Sequence, residues 1–327
     1  MAATCLSFTC PHNLVSLVRG HILIGSEDTV NTRDPITTTG DAVTSEQRTA
    51  DTWLIVGHGS VGFVLSERVL AAGGTVLVRD DAPRVPPSQH ERVIQVGAQE
   101  HVTASHVALC VPSSVASAAA EFVRSHVAGS PMILDWASAP PWSKVATAGT
   151  DSNDWVDVAL LDSLDRVVDR PLLAISGLRS AAAETALRRL GFAVDIAGDA
   201  VGQAAAVKLT RSLFMKPLEG LVMEYRANAK VLDPSGVAWR SIQQNLGNVF
   251  AEFADVLVTS DVTHAARRTP ELRQAISYAT DFECAARIAG SAAEVMARLA
   301  RHWAETDMAA DRTVDDILSA ARPAFQQ

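Results

Sequence analysis

The chain has 327 residues, 48% of them hydrophobic, and a formal net charge of −9 at pH 7. This length exceeds the usual size of one domain, about 100–200 residues, so it predicts two domains. The excess of acidic residues disfavours nucleic acid and anionic membranes as partners, and no apolar run reaches the roughly 20 residues of a membrane span. The four cysteines lack zinc-ligand and CxxC spacing, which predicts free thiols in a reducing, cytoplasmic compartment.

Residues 1–50 differ in composition from the rest of the chain. They are largely polar and rich in threonine, with no sustained hydrophobic period. The apolar stretch LVSLVRGHILIG is interrupted by Arg19, Gly20 and His21 and lacks the order of a secretory signal. The acidic residues of the segment argue against a transit peptide. We therefore expect residues 1–50 to be a mostly disordered extension.

The most informative stretch begins at Thr52 and alternates between strand and helix patterns. The β-rich run TWLIV is followed by glycines in a GxGxxG pattern and by apolar residues at helical spacing. A second β-rich run, TVLV, then leads to Asp80. This succession of strand, glycine turn, helix, strand and acid is typical of a dinucleotide-binding motif.

The residue types of the turn follow from the chemistry of phosphate binding. Gly57 allows a tight turn, Gly59 lets the backbone approach a pyrophosphate, and Gly62 allows the helix to pack closely on the strand. The helix N-terminus then directs its N–H groups and partial positive charge at the phosphates. The predicted cofactor-binding loop consists of Gly57, His58, Gly59, Ser60, Val61 and Gly62.

Asp80 is the predicted determinant of cofactor choice. Its carboxylate is placed to accept hydrogen bonds from a ribose 2′-hydroxyl, and it would repel a 2′-phosphate. Asp81 follows, where an NADP enzyme often has a basic residue. Arg79 and Arg84 leave the alternative open, because a guanidinium near the ribose could hold a phosphate. The sequence thus favours NAD, with NADP as the alternative.

Strand and helix patterns continue to alternate as far as Gly198. This βαβ rhythm predicts an α/β fold with a doubly wound parallel sheet, a Rossmann-type domain over residues 51–198. The further strand candidates are 92–96, 106–111, 131–135, 156–160, 172–176 and 193–196. Ligands of such sheets bind at the carboxyl ends of strands, where the segments at 111–114, 135–138 and 162–163 are expected.

The second half of the chain is predicted to be helical. After Gly198 the strand signals stop, and Ala, Leu, Glu and Arg recur at helical spacing. This predicts an all-α C-terminal domain over residues 199–327. Its first element is expected over 201–230, as one long helix or two abutting ones, because Pro217 should kink the helix or break it near Met215.

Polar residues form a line on that first helix. Lys208, Ser212 and Lys216 lie on one face at about 3.6 residues per turn, and Arg211 lies one turn from Lys208. A helix that follows the last strand of a Rossmann-type sheet starts near the cleft between domains. Such a cleft is the usual place of a ligand.

These motifs resemble those of the β-hydroxyacid dehydrogenase superfamily, which includes 6-phosphogluconate dehydrogenase and 3-hydroxyisobutyrate dehydrogenase. The family's GLGxMG-like turn corresponds to residues 57–62, and its LPxxxxV loop near the nicotinamide looks like residues 109–112 with Val115 close behind. Its DxST substrate loop looks like residues 135–138, and its GxGxxxKxxxN helix looks like residues 202–212. The resemblance implies that Val111, Pro112 and Val115 contact the cofactor, that Ser138 binds substrate and that Lys208 is catalytic.

A narrower resemblance concerns a subgroup of 6-phosphogluconate dehydrogenase-like proteins with a distinct C-terminal domain of unknown function. The segments VKLTRSLFMKPLEGLVMEY and HAARRTPELRQA are similar to that subgroup, which has a lysine, an arginine–serine pair and a second lysine in this order. The sequence also departs from the family. Residues 162–166 lack the serine-glycine-glycine substrate motif, and Ser212 replaces an asparagine, so neither named substrate is supported.

The implied reaction is reversible hydride transfer between a nicotinamide and a small β-hydroxy acid or its carbonyl. Lys208 would act as general acid and base, or would polarise a carbonyl if it stays protonated. Ser138 and Ser212 bind substrate or tie down local backbone. Arg211 binds an anionic group through its fork or pairs with a surface acid. Lys216 reaches the substrate or lies at the interdomain surface.

Several alternatives stay open at this stage. Arg267 and Arg268 form a basic cluster at a predicted helix start, which reaches an acidic substrate group across a dimer or is simply exposed. The same scaffold could be an imine reductase, against which Lys208 argues, or a non-catalytic dinucleotide sensor. The family implies a homodimer through the helical domain, and the histidine spacing predicts no metal site.

Overall fold

A computed structural model describes residues 51–81, 92–162, 170–306, 308–309 and 311–326. The expected extension over 1–50 lies outside these ranges, as do Arg84 and residues 163–166. The described residues form ten strands. Their bounds are Thr52–Val56 (β1), Thr75–Arg79 (β2), Val93–Gln95 (β3), Val102–Thr103 (β4), His106–Leu109 (β5), Val127–Ala128 (β6), Met132–Asp135 (β7), Trp155–Leu160 (β8), Leu172–Ser176 (β9) and Ala193–Gly198 (β10).

Eight of these strands form one sheet in the order β10-β9-β8-β7-β5-β1-β2-β3. Strand β1 pairs in parallel with β2 on one side and β5 on the other, so the strand order reverses at β1. In sheets of this kind the crevice that binds ligands opens at such a switch point, beyond the carboxyl ends of the strands. The short strands β4 and β6 pair separately, and the sequence did not predict them.

The sheet has a hydrophobic core on each of its two faces. Central residues such as Leu54, Ile55 and Val107 are fully buried, because strands covered on both faces need near-continuous apolar runs. The pair β8 and β9 is antiparallel, and the other pairs of this sheet are parallel. Only residues 161–171 connect β8 to β9, and a parallel crossover needs a dozen or more residues.

Nine helices accompany the strands in the described ranges. They are Ser60–Ala71 (α1), Ala116–His126 (α2), Pro141–Ala148 (α3), Ser180–Arg189 (α4), Gln203–Leu232 (α5), Val237–Leu246 (α6), Asn248–Asp281 (α7), Arg287–Glu305 (α8) and Val314–Ala321 (α9). The last five form a helical region with its own apolar core. The predicted fold class, a Rossmann-type sheet followed by an all-α region, is confirmed, with one antiparallel pair that was not predicted.

Two prolines lie inside long helices instead of ending them. Helix α5 continues through Pro217, so the expected break near Met215 is wrong. A proline removes one backbone hydrogen bond, but the buried face that follows it keeps the helix together, since Gly220 packs against Ala292 of α8. Helix α7 continues in the same way through Pro270.

The predicted boundary at 198/199 stays a prediction. Strand β10 ends at Gly198 and α5 begins at Gln203, but α5 packs on β8, β9 and β10 as well as on α7 and α8. The helix therefore belongs to both regions. In the part of the chain that the structure describes, no helix has the length and apolar character needed to cross a membrane.

Candidate active site

The loop between β1 and α1 has the shape that its glycine pattern predicts. Gly57 has a φ of +92°, and a Cβ there would lie 2.6 Å from the carbonyl oxygen of Cys110. A Cβ at Gly62 would lie 2.0 Å from the carbonyl oxygen of Gly57. A Cβ at Gly59, in contrast, would meet no atom within 4 Å. The loop is therefore closely packed at two glycines and open at the third.

The open side of the loop lies at the N-terminus of α1. Gly59 directly precedes Ser60, the first residue of the helix, and both residues are exposed, whereas Val61 is half-buried. Gly59 has no side chain to cap the helix, and the helix dipole places partial positive charge at this end. A pyrophosphate needs such backbone donors and free space beside them. The loop therefore fits the phosphates of a dinucleotide.

Asp80 lies beside the glycine loop at the end of β2. One of its carboxylate oxygens accepts a hydrogen bond from the backbone N–H of His58. The neighbouring Arg79 pairs with Asp81 at 2.7 Å, and its guanidinium lies 5.7 Å from the centre of the Phe122 ring. Asp80 thus presents a carboxylate at the strand end, while the guanidinium of Arg79 is engaged elsewhere.

The side chain of His58 points away from the open side of the loop and is buried. Its Nε2 lies 3.0 Å from the hydroxyl of Ser66, which donates its own hydrogen to the carbonyl oxygen of Gly62. Burial lowers the pKa of His58, against the opposing charges of Asp80 and Glu67. The His58 ring is therefore neutral and packs on the buried side of the loop. Only the backbone of His58 is placed to contact a cofactor.

The segment after β5 lies next to the glycine loop. A Cβ at Gly57 would lie 2.7 Å from a methyl carbon of Val111, so the two segments are in contact. Pro112 and Val115 are exposed, and Val115 ends a short 3-10 turn. Burial raises the pKa of the Cys110 thiol, which therefore stays protonated. The segment presents apolar side chains beside the loop, and its contact with a nicotinamide stays a prediction.

Lys208 is half-buried and lies in the second turn of α5. Within the described ranges its amine forms no hydrogen bond or ion pair. Burial lowers the pKa of Lys208 to about 8; the charge of Glu271 opposes this shift, and the charges of Lys144, Lys216 and Arg267 reinforce it. An amine with this pKa is present in both protonation states near neutral pH, as a general acid–base catalyst must be.

Glu271 of α7 faces Lys208 and was not predicted as a site residue. It pairs with Lys216 at 2.9 Å and with Arg267, one turn away on its own helix, at 2.9 Å. Burial would raise the pKa of Glu271, but the charges of Lys216 and Arg267 outweigh burial and lower it. Lys216 is largely buried, and burial lowers its pKa against the opposing charge of Glu271. This cluster has more cations than carboxylates.

The three other predicted substrate residues differ in their surroundings. Arg211 is exposed, as is Ser138 in the segment between β7 and α3. Neither side chain has a hydrogen bond or ion pair within the described part of the chain. Ser212 instead donates its hydroxyl hydrogen to the backbone oxygen of Lys208 at 2.9 Å, and Lys216 Nζ lies 3.4 Å from the same hydroxyl.

Arg267 and Arg268 do not start a helix, so that expectation is wrong. Both lie well inside α7 because the helix continues through Pro270. Arg267 reaches the cluster around Glu271, whereas Arg268 turns into the helical core and pairs with the buried Glu219. Only the first of the two arginines therefore lies near Lys208.

A buried ionic cluster at the end of the sheet was missed by sequence reasoning. Lys144 of α3 lies 3.1 Å from a carboxylate oxygen of Asp135 and 3.1 Å from one of Asp157. Lys144 and Asp135 both influence the pKa of Cys110, and Lys144 also influences that of Lys208. The cluster therefore lies within electrostatic range of Lys208 and of Cys110, whose carbonyl oxygen is next to Gly57 of the glycine loop.

In the described ranges no group of three or more His, Cys, Asp or Glu side chains is arranged to hold a metal ion. No protein-family model matches the chain, and no curated protein matches it in sequence.

Solved structures share the fold at low sequence identity. A conserved hypothetical protein from Sinorhizobium meliloti 1021 has a TM-score of 0.63 and 19% identity, over 85% of this chain and 98% of its own. The conserved protein MTH1747 of unknown function, described as similar in structure to 3-hydroxyacid dehydrogenases, has a TM-score of 0.59 and 23% identity, over 76% and 97%. A Mycobacterium tuberculosis 3-hydroxyisobutyrate dehydrogenase with L-serine has a TM-score of 0.66 and 15% identity, over 84% and 99%. The chain thus has the fold of 3-hydroxyacid dehydrogenases.

Proposed function

We propose that this protein is an NAD(P)-dependent oxidoreductase acting on a small anionic β-hydroxy acid or the corresponding carbonyl compound. The observation that supports this most is the Lys208 amine, which has a pKa of about 8 and lies at the end of the sheet where the glycine loop fits a dinucleotide. Two proteins that share the fold support this reaction class: a 3-hydroxyisobutyrate dehydrogenase, and a protein of unknown function that is described as similar in structure to 3-hydroxyacid dehydrogenases.

The chemistry of Lys208 follows from its pKa. A bound nicotinamide supplies the acceptor or donor of the hydride. When the alcohol carbon loses its hydride, the neutral amine of Lys208 accepts the hydroxyl proton and a carbonyl forms. In the reverse direction the ammonium form returns that proton to the developing alkoxide. Because its pKa is about 8, neither form is rare at neutral pH.

The charges around Lys208 favour an anionic substrate. Lys216 and Arg267 both pair with Glu271 beside Lys208, so cations outnumber carboxylates there. Arg211, three residues after Lys208 on α5, is exposed. A guanidinium without a partner, as at Arg211, matches a carboxylate in charge and in geometry. Ser138 offers a free hydroxyl beside the strand ends.

The cofactor preference rests on Asp80. Its carboxylate lies at the end of β2 and accepts the His58 N–H, and a negative charge there repels the 2′-phosphate of NADP. The engagement of Arg79 with Asp81 leaves its guanidinium less able to hold that phosphate. We therefore favour NAD, with NADP as the alternative.

The second copy implied by the family would pack along α5. Val207, Phe214 and Leu221 recur every seven residues on this helix and are 41%, 68% and 64% exposed. An exposed apolar stripe of this spacing is typical of a helix that pairs with another helix. Sedimentation of Phe214→Glu beside the wild type tests the homodimer: we expect a monomer for the variant and a dimer for the wild type. The cytoplasmic location stays a prediction from cysteine spacing.

The test of the activity is a screen of hydroxy acids and keto acids, with NAD and NADP in parallel, that follows the absorbance of the reduced nicotinamide. Lys208→Met should lower kcat by about 100-fold or more, the usual contribution of a general acid–base group, while cofactor binding stays unchanged. Lys230→Met is the matched control, since Lys230 lies on the same helix and pairs with Asp315. Unchanged turnover in Lys208→Met would remove this residue from the mechanism.

The screen also separates the alternatives. An imine reductase would turn over imines faster than hydroxy acids, and the Lys208 amine would then be dispensable. A non-catalytic sensor would bind the cofactor but change its absorbance with no substrate of either class.

A further inference from the structure

Three buried side chains form a row across the end of the sheet. Asp135 of β7 is the register partner of Asp157 of β8, and Asp157 is the register partner of Ser176 of β9. Asp157 and Ser176 are fully buried, and Asp135 is 1% exposed. Directly opposed residues on neighbouring strands point to the same face of a sheet. Polar groups this deeply buried require partners, and they find them on two helices.

The first of these helices is α5, whose opening turn rests on the row. The N–H of Ala204 donates to the hydroxyl of Ser176 at 3.0 Å, and the N–H of Ala205 donates to a carboxylate oxygen of Asp157 at 2.8 Å. The first N–H groups of a helix have no partner within it, and Gly202 at the N-cap has no side chain to provide one. Asp157 and Ser176 thus cap α5 from the sheet, and the negative charge of Asp157 complements the helix dipole.

The second helix is α3, which provides Lys144. Its Nζ donates to the backbone oxygen of Asp135 at 2.7 Å and lies 3.1 Å from a carboxylate oxygen of both Asp135 and Asp157. The ammonium is almost completely buried, and it offsets the cost of two carboxylates in the interior. Helix α3 also touches the start of α5, since a Cβ at Gly202 would lie 3.0 Å from the carbonyl oxygen of Pro141.

The position of Lys208 depends on this arrangement. Lys208 lies one helical turn beyond Ala204 and Ala205, so the place of its amine is fixed by how the first turn of α5 is held. We propose that Asp157, Ser176 and Lys144 are positioning residues that hold Lys208 toward the nicotinamide side of the cleft. None of the three needs to touch substrate or cofactor. This inference rests on the proposed function for its effect on turnover, but not for its effect on Lys208 itself.

Lys144 has a second effect through its charge. Among the cations that reinforce the lowered pKa of Lys208, Lys144 has the largest effect, and its amine is held between the carboxylates of Asp135 and Asp157. The chain has only four lysines among its 28 basic residues, and three of them, Lys144, Lys208 and Lys216, belong to this end of the molecule. Each lysine can therefore be observed separately.

The first experiment uses two buried serines as a matched pair. Ser176→Ala removes the acceptor of the Ala204 N–H, and Ser180→Ala removes a hydroxyl that donates to the carbonyl oxygen of Gly177 at the start of α4. We expect Ser176→Ala to lower kcat by about tenfold, because small misplacements of a catalytic group are costly, with the KM for the nicotinamide unchanged. Ser180→Ala should leave kcat within about twofold. Equal effects of the two variants on kcat would overturn the proposal.

The second experiment does not depend on turnover. The lysine amines of the folded protein are methylated with a ¹³C label, and each signal is titrated by NMR in the wild type and in Lys144→Met. We expect the pKa of Lys208 to rise by about one unit or more, since a buried cation near it has been removed. An unchanged Lys208 titration in a folded variant would overturn the electrostatic part of the proposal. If Lys144→Met does not fold, the proposal is tested by the difference in kcat between Ser176→Ala and Ser180→Ala.

The failure of this inference can be distinguished from that of the proposed function. If the wild type turns over no hydroxy acid, keto acid or imine, the proposed function fails, but a raised pKa of Lys208 in Lys144→Met still supports the electrostatic part of this inference. If the wild type is active and Ser176→Ala behaves like Ser180→Ala, only the positioning role fails.

Discussion

The two halves of the candidate active site, the glycine loop and the start of α5, are built in different ways. The loop is one continuous segment, residues 57–62, whose backbone geometry follows from the space at each glycine. The start of α5 is held by side chains from β7, β8, β9 and α3, which are far apart in the sequence. The geometry of the glycine loop therefore depends on its local sequence. The geometry at the start of α5 depends on tertiary contacts between distant segments.

Gly62→Ala tests the close packing of the loop and should have the largest effect on stability. The new Cβ would lie 2.0 Å from the carbonyl oxygen of Gly57, so α1 would have to move away from β1. Backbone atoms cannot yield as a flexible side chain does, and we expect a loss of about 3 kcal/mol or more in the free energy of unfolding. Denaturant unfolding measures this loss. A change below about 0.5 kcal/mol would show that the loop is not closely packed at this glycine.

Gly59→Ala is the matched substitution on the open side of the loop. Its Cβ would meet nothing within 4 Å, so the free energy of unfolding should change little. The methyl group would instead occupy the space beside the helix N-terminus that a pyrophosphate needs, and we expect the Kd for NAD to rise by about 10- to 100-fold, or about 1.4–2.7 kcal/mol. Fluorescence titration with NADH measures the affinity. An unchanged affinity would place the phosphates elsewhere.

These two halves also explain how much of the site could be predicted from the sequence. The glycine pattern and Asp80 lie within thirty residues, and the physical need for each residue type is local, so the shape of the loop could be predicted from the sequence. The binding of a cofactor by these residues stays a prediction. The row of Asp135, Asp157 and Ser176 exists only because β7, β8 and β9 are neighbours in register. Asp157 alternates with apolar residues in its strand, and no property of that segment predicts that its partner is a lysine on α3.

The fold was predictable for a related reason. The alternation of β and α patterns up to Gly198 determines the sheet, and the strand candidates agree with the observed strands within one or two residues at most ends. The expected helix break at Pro217 was wrong because a proline removes only one local backbone hydrogen bond. The packing that keeps α5 and α7 continuous is tertiary and cannot be deduced from the local sequence. One usable signal was overlooked: lysine is rare in this chain, so its occurrence at 144, 208 and 216 could have marked the site.

The two pairs of buried carboxyls differ in their surroundings. Asp135 and Asp157 have Lys144 between them, whereas Glu219 of α5 and Asp261 of α7 contact each other directly, with Arg268 on one side and the Trp303 N–H on the other. Burial raises the pKa of Glu219 to about 8, Arg268 opposes this shift, and the charge of Asp261 adds to it. The pair in the helical region therefore holds a proton near neutral pH.

The proton bound by the Glu219–Asp261 pair predicts that the free energy of unfolding depends on pH. The folded state binds a proton that the unfolded state releases above its ordinary pKa of about 4.5, so stability should fall as pH rises from about 4.5 to about 8. One proton corresponds to a slope of at most about 1.4 kcal/mol per pH unit. Asp261→Asn still accepts from Trp303 and removes the need for the proton, so its stability should depend less on pH over this range. Denaturant unfolding at several pH values measures both slopes.

The control for this prediction is Asp255→Asn, on the same helix. Asp255 is exposed and pairs with Arg226, so its loss should shift stability slightly and leave the slope unchanged. If the wild type and Asp261→Asn have equal slopes, the carboxyl pair does not hold a proton in this range.

The smallest expected effect distinguishes the two serines predicted to bind substrate. Ser212 has given its hydroxyl hydrogen to the backbone oxygen of Lys208, and Lys216 Nζ lies beside its oxygen, so it cannot donate to a substrate carboxylate unless it first breaks that bond. We expect Ser212→Ala to change the KM of the substrate that the absorbance screen identifies by less than about threefold, and the free energy of unfolding by less than about 0.5 kcal/mol. Ser138 has a free hydroxyl, and the loss of one hydrogen bond in Ser138→Ala should raise KM by about tenfold. If Ser212→Ala raised KM more than Ser138→Ala did, Ser212 would have to turn toward the substrate when it binds. The start of α5 would then contact the substrate as well as position Lys208.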